Sequence, residues 1–252
     1  MRRSLLACVL ALFGWAFAQS AALAADSGGP FRDWAAVVVA GDWRAHEGQS
    51  TEAFENVRRD VGAALLKAGF SAENLREYSL RPSNSPVTTP DQVAAGFAET
   101  ARKATGGCLF YISSHGSPAG AVYGPNDTLT PKTLNRMLTE ACGSRPTVAI
   151  ISACFSGVFV PTLSGPNRMI LTAARADRSS FGCGEKDRYP FFDACVLESL
   201  PKSADFMTLA QAVKACVVQR EDEQDMAPPS EPQTFVGGEL RMMLPLMRFD
   251  RP

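Results

Sequence analysis

The chain has 252 residues, 46% of them hydrophobic, with 25 Lys and Arg set against 26 Asp and Glu for a net charge of −1. That length and apolar fraction suit a single α/β domain with a full core, and no break in composition asks for a second one. The charge balance excludes the basic field that nucleic-acid binding requires, and no acidic tail is present.

The chain opens with Arg2 and Arg3, then an apolar run from Leu5 to Ala18, then Ala22-Leu23-Ala24. A charged start, a short apolar stretch and a small-residue exit form a secretory signal peptide, expected over residues 1–24 and cut after Ala24. The run is shorter than the roughly 18 residues a spanning helix needs, so no membrane attachment is expected once it is removed. The mature chain, 25–252, is then expected to be secreted or periplasmic. It keeps Cys108, Cys142, Cys154, Cys183, Cys195 and Cys216, in a compartment where disulfides form.

Trp34 to Ala40 is a continuous apolar, β-branched run and predicts a buried parallel strand. Phe54, Val57, Val61, Leu65 and Ala68 recur at helical spacing, and Gly69 ends that helix. Leu75 to Leu80 is a second strand, and Pro82 to Pro90 a loop. Thr89, Pro90 and Gln92 supply the cap, first-turn proline and capping-box partner of a helix that stops at Gly106-Gly107. Cys108 to Ile112 is the next buried strand, followed by a Gly/Pro-rich excursion and a helix started by Thr130 and Pro131. Thr147 to Ile151 and Met169 to Ala174 are further strands. Helices follow over Phe191 to Leu200 and Thr208 to Glu221, the acidic end Glu221-Asp222-Glu223 being expected in solvent. A linker, Met226 to Pro232, precedes a final strand expected over Leu240 to Met247. Alternating strands and helices give an α/β domain with a mostly parallel sheet.

Sites in such sheets lie beyond the carboxyl ends of the strands. His115 and Cys154 both fall there, on loops after consecutive core strands. A thiolate rather than a thiol attacks carbonyl carbon, so a catalytic cysteine needs a base, and the chain has only two histidines, His46 and His115. Gly116 allows close backbone approach, and the N–H groups of Gly116 and Cys154 are candidates for stabilising an oxyanion. The bland alternatives are a structural Cys154 and an ordinary loop histidine. Cys108 starts one core strand and Cys142 ends the helix feeding the next, which predicts a bridge between them. Cys195 and Cys216 sit on consecutive helices and form a second expected pair, leaving Cys183 free beside the site.

Ser114-His115-Gly116-Ser117 and Ala153-Cys154-Phe155-Ser156-Gly157 resemble the His-Gly and Ala-Cys-x-Ser-Gly signatures of legumain-type peptidases. Val39-Ala40-Gly41 and the stretch from Leu171-Thr172-Ala173-Ala174 to Ser179-Ser180-Phe181-Gly182-Cys183 agree with that family, so the resemblance spans about Trp34 to Leu200. It implies a single caspase-like domain with a six-stranded, mostly parallel sheet, in an exported, bacterial-type member. It further implies a cysteine endopeptidase acting on peptides or proteins through a Cys154–His115 dyad and a thioester, with no cofactor and no metal. Asp42 is the candidate to orient His115, with a turn-forming role as the alternative. Arg44, His46, Ser152, Ser179 and Ser180 are the candidate substrate-binding residues. The chain departs from the family at Ser152, where legumains carry an acid, and at Tyr189-Pro190, where a second acid is expected. Arg44 then stands as the lone pocket charge, so acidic or small polar residues are expected before the cleaved bond. Transpeptidation through the same dyad and a non-catalytic binding module are the competing readings. A thiol–disulfide protein is disfavoured because no Cys-x-x-Cys is present.

Overall fold

A computed structural model describes residues 29–45, 48–83 and 87–250. The expected signal peptide and His46 lie outside the described residues. Strand β1 (Trp34–Ala40) is buried along its whole length, as a central parallel strand covered on both faces must be. It leads through α1 (Ala53–Lys67) to β2 (Leu75–Ser79), and α2 (Pro90–Lys103) leads to β3 (Gly107–Ser113). The Thr89 and Gln92 capping box is present, with Thr89 Oγ1 accepting from the Gln92 N–H and Gln92 Oε1 from the Thr89 N–H.

The Gly/Pro-rich excursion after β3 is a small antiparallel sheet of β4 (Gly116–Ser117), β5 (Gly120–Val122) and β6 (Thr128–Leu129). Strands this short carry no readable alternation, so the sequence shows them only as a loop. Helix α3 (Pro131–Cys142), capped by Thr130, feeds β7 (Thr147–Ser152). Then come α4 (Phe159–Leu163), β8 (Arg168–Thr172), α5 (Phe191–Ser199) and α6 (Phe206–Glu223). The main sheet has the order β2-β1-β3-β7-β8 with every neighbouring pair parallel.

The sixth strand is β9 (Gln233–Val236), antiparallel to β8. It replaces the final strand expected over Leu240 to Met247, which is instead helix α7 (Gly238–Met243) and a 3-10 turn over Leu244–Leu246. A short apolar run does not separate helix from strand by its pattern, and Pro245 has no N–H to give a ladder. Glu221 is a second correction. It is 2% exposed, and its carboxylate accepts from the Ser230 N–H at 3.1 and 3.2 Å, holding down the linker that leads to β9.

Alternate residues of the strands face opposite cores. Val38, Leu109, Tyr111 and Ile150 pack with Val61, Leu65, Val196 and Val213 from α1, α5 and α6. Val37, Val39, Phe110, Ile112 and Ile151 pack with Val93, Phe97, Leu134 and Leu138 from α2 and α3. Both expected disulfides are formed. Cys108–Cys142 joins β3 to α3 and Cys195–Cys216 joins α5 to α6, while Cys154 and Cys183 are free.

Candidate active site

The site follows from sheet register. Ser113 and Ser152 are partners at the ends of β3 and β7, and His115 and Cys154 each lie two residues further on. The two loops stay together beyond the sheet. The Ser114 N–H donates to the Ser152 carbonyl at 3.0 Å, while within the segment after β3 the Val122 N–H donates to the His115 carbonyl at 2.8 Å. Gly116 lies so near the Cys154 loop that an added Cβ would stand 2.1 Å from the Cys154 carbonyl oxygen. Only glycine allows that approach.

The imidazole of His115 is fixed from two sides. Its Nε2 lies 2.8 Å from the Arg44 carbonyl oxygen. A carbonyl can only accept, so this partner assigns the proton to Nε2 and leaves Nδ1 as the basic nitrogen. The Phe54 ring meets the imidazole edge-on, with centroids 5.2 Å apart and planes at 77°. Sequence reasoning missed both partners, because a backbone carbonyl has no residue signature and Phe54 reads as ordinary helix core.

Asp42 does not contact the histidine directly. Its Oδ1 accepts from the Trp43 N–H at 2.8 Å, the Arg44 N–H at 3.2 Å and Arg44 Nε at 2.8 Å, and its Oδ2 accepts from Arg44 Nη2 at 3.2 Å. The turn-forming alternative therefore describes its contacts. Asp42 shapes the turn that presents the Arg44 carbonyl to His115. The same pair alters the expectation for Arg44: its guanidinium is already matched to a carboxylate within the chain, so it is not a lone pocket charge.

Cys154 sits at a sharp turn. The next residue, Phe155, has φ of +57°, a left-handed conformation that a bulky side chain rarely adopts. Its N–H donates to the Arg178 carbonyl at 2.8 Å, and Ser156 Oγ accepts from the buried Ala174 N–H at 3.1 Å. A Cβ at Gly157 would stand 2.4 Å from the Ala176 nitrogen. The segments after β7 and β8 are thus fastened together, and this brings Ser180 to the sulfur. The Ser180 N–H donates to Cys154 Sγ at 3.3 Å, and Ser180 Oγ lies 3.5 Å from it. The same sulfur lies 3.5 Å from the Ser180 carbonyl oxygen, so Ser180 fixes the position of the thiol through three contacts. Ser179 is exposed on the same turn.

Ser152 points inward. Its Oγ donates to Asp193 Oδ2 at 2.7 Å, as does Ser113 Oγ at 2.7 Å, while the Tyr111 hydroxyl donates to Asp193 Oδ1 at 2.5 Å. Asp193 is fully buried in the first turn of α5. Burial pushes its carboxyl up to about 6, against the pull of the three hydroxyl donors. Burial, followed by the Asp193 charge, also holds the Tyr111 hydroxyl well above the usual tyrosine range. The sequence signal for Asp193 was a single acid inside the apolar run Phe191-Phe192-Asp193-Ala194-Cys195. Burial raises the Cys183 thiol too, with the nearby Cys154 adding to it. Cys183 is thereby kept as a thiol, and of the two free cysteines among the described residues Cys154 is the better placed to react.

The pattern of the peptidase C13 family matches residues 102–231, a segment that contains both His115 and Cys154. Among solved structures, caspase-1 from Spodoptera frugiperda is similar, with a TM-score of 0.59 at 15% identity, covering 83% of this chain and 88% of that one. The fold is therefore caspase-like. No curated protein sequence matches the chain.

Proposed function

The chain belongs to the peptidase C13 family, and from that premise we propose that it is a cysteine endopeptidase working through a Cys154–His115 dyad. His115 Nδ1 takes the thiol proton as Cys154 Sγ attacks the carbonyl carbon of a peptide bond. The negative charge that develops on oxygen is met by the backbone N–H groups of Gly116 and Cys154. The imidazolium then returns its proton to the leaving amine, giving a thioester that water hydrolyses to free acid and thiol. The observation that carries this reading is the mutual placement of the two loops, in which Gly116 lies against Cys154 while Arg44 and Phe54 fix the imidazole.

The substrates are peptides or proteins, bound along the rim formed by Arg44, Ser179 and Ser180. With Arg44 paired to Asp42, the rim carries no uncompensated guanidinium, so uncharged polar residues fit before the cleaved bond at least as well as acidic ones. The signal pattern of residues 1–24 and two disulfides support action outside the cytoplasm. A positional peptide-library profile of the mature protein, with Cys154→Ala as control, tests the proposal. Endoproteolysis that vanishes in the variant supports it, and cleavage that persists at the parent rate removes it.

A further inference from the structure

We propose that Asp193 is a positioning residue for the dyad, its one buried carboxylate clasping the ends of β3 and β7 and so fixing the loops that carry His115 and Cys154 relative to one another. The proposal rests on the reading of those two residues as a catalytic pair. Its basis is the register of the sheet. Ser113 and Ser152 are directly paired across the two strands, both donate to Asp193 Oδ2 at 2.7 Å, and each is followed two residues later by a member of the pair. The Tyr111 hydroxyl holds Oδ1 at 2.5 Å, so the carboxylate also joins the strand ends to α5, where Cys195 is bridged to α6.

A buried carboxylate costs free energy that an apolar residue would not. The mechanism does not use Asp193 at the reacting atoms, because it is fully buried and its oxygens face three hydroxyl donors. What it provides is a single acceptor shared by two strands, and a shared acceptor fixes the distance between its donors. The charge state matters to that role. A carboxylate accepts all three hydroxyl protons, whereas a neutral acid must itself donate, so one of the three hydroxyls has to turn and accept. Burial places this change at about 6. Tyr111 on β3 and Cys183 in the loop before α5 are the titratable groups whose charge reaches it, and both are held neutral there. Above that pH the clasp has the geometry described. Below it the hydroxyls rearrange and the loops lose their common anchor.

The test is the pH dependence of kcat and KM for Asp193→Asn, Ser113→Ala and Ser152→Ala beside the parent and Cys154→Ala. Asn keeps the shape but presents an N–H₂ to at least one hydroxyl donor. Expected are a fall in kcat of about a hundredfold with KM within about threefold, and an acid limb displaced from the parent's, because only the base of the dyad then titrates. Each serine variant should show a smaller fall in kcat, about tenfold, because one donor is lost and the other two remain. Parent-like kcat and an unchanged acid limb in Asp193→Asn, with Cys154→Ala inactive, would overturn the role of Asp193 and leave the dyad standing. Activity in Cys154→Ala would instead remove the dyad, and the proposal with it. Should Asp193→Asn fail to fold, the serine variants decide: parent-like kcat and pH profile in both overturns the clasp.

Discussion

The two ends of the parallel sheet are built in different ways. At the amino end, β3 is bridged to α3 through Cys108–Cys142, with Cα atoms 6.2 Å apart. The Arg145 guanidinium there donates to the carbonyls of Ala101, Ala104 and Cys142 at 2.9, 2.6 and 3.0 Å, and also to Ala141, closing the ends of α2 and α3. These are carbonyls at helix ends, where the α-helix leaves acceptors without intrahelical partners. At the carboxyl end, the main sheet stops, and segments far apart in sequence are joined residue to residue: Arg44 to His115, Arg178 to Phe155, Ser180 to Cys154. One end is made for stability and the other for placement. The placement is only as good as the rigid frame beneath it, which is why Asp193 is buried at the boundary between the two.

The comparison breaks first, and furthest, at His115. His115→Ala should lower kcat/KM by about 10³-fold or more while the melting temperature stays within a few degrees, because a half-buried loop side chain leaves no core cavity. Peptide hydrolysis beside a thermal melt checks both halves. The opposite outcome belongs to the amino end. Replacing Cys108 and Cys142 together by Ser should cost about 3–4 kcal/mol of stability, given the 34-residue separation, with kcat unchanged. Urea unfolding measures the loss, and a matching drop in kcat would show that the two ends are coupled.

The boundary residue gives a pH signature. Asp193 has a folded-state pKa near 6, above its ordinary unfolded value, so the folded protein holds that proton more tightly. Its contribution to stability is full below about pH 4 and is lost as pH rises through 6, on the order of 3 kcal/mol. Urea unfolding across that window should show the parent losing stability, relative to Asp193→Asn, as pH rises. The pH that favours the active clasp is thus the pH that weakens the fold. The smallest effect is expected at Asp42. Asp42→Asn frees the Arg44 guanidinium and should shift library preference toward acidic residues before the cleaved bond by about tenfold. An unchanged profile would mean that Arg44 does not face the substrate.

The sheet was legible because its strands are fully buried runs such as Trp34–Ala40 and Thr147–Ser152, and the helices because their caps, Thr89 and Thr130, are side-chain signals. The candidate pair His115 and Cys154 was legible as neighbours because the paired ends of β3 and β7 carry them. What escaped lacks a local signature. Strand β9 is four residues long, the apolar run after it suits helix and strand alike, and the partner of His115 is a backbone carbonyl. Asp193 was hidden by distance: the buried acid that Ser152 bonds comes from α5, 41 residues later, through a hydrogen bond that only the fold makes visible.

The central claim is that Cys154 is the thiol made reactive by this arrangement. Labelling the mature, unreduced protein with an electrophilic peptide probe, followed by peptide mapping, tests it most directly. The account predicts one equivalent of label on Cys154, fast in the parent and slowed by at least about a hundredfold in His115→Ala, with Cys183 unlabelled. Label on Cys183, or Cys154 recovered in a disulfide with labelling indifferent to His115, would contradict it.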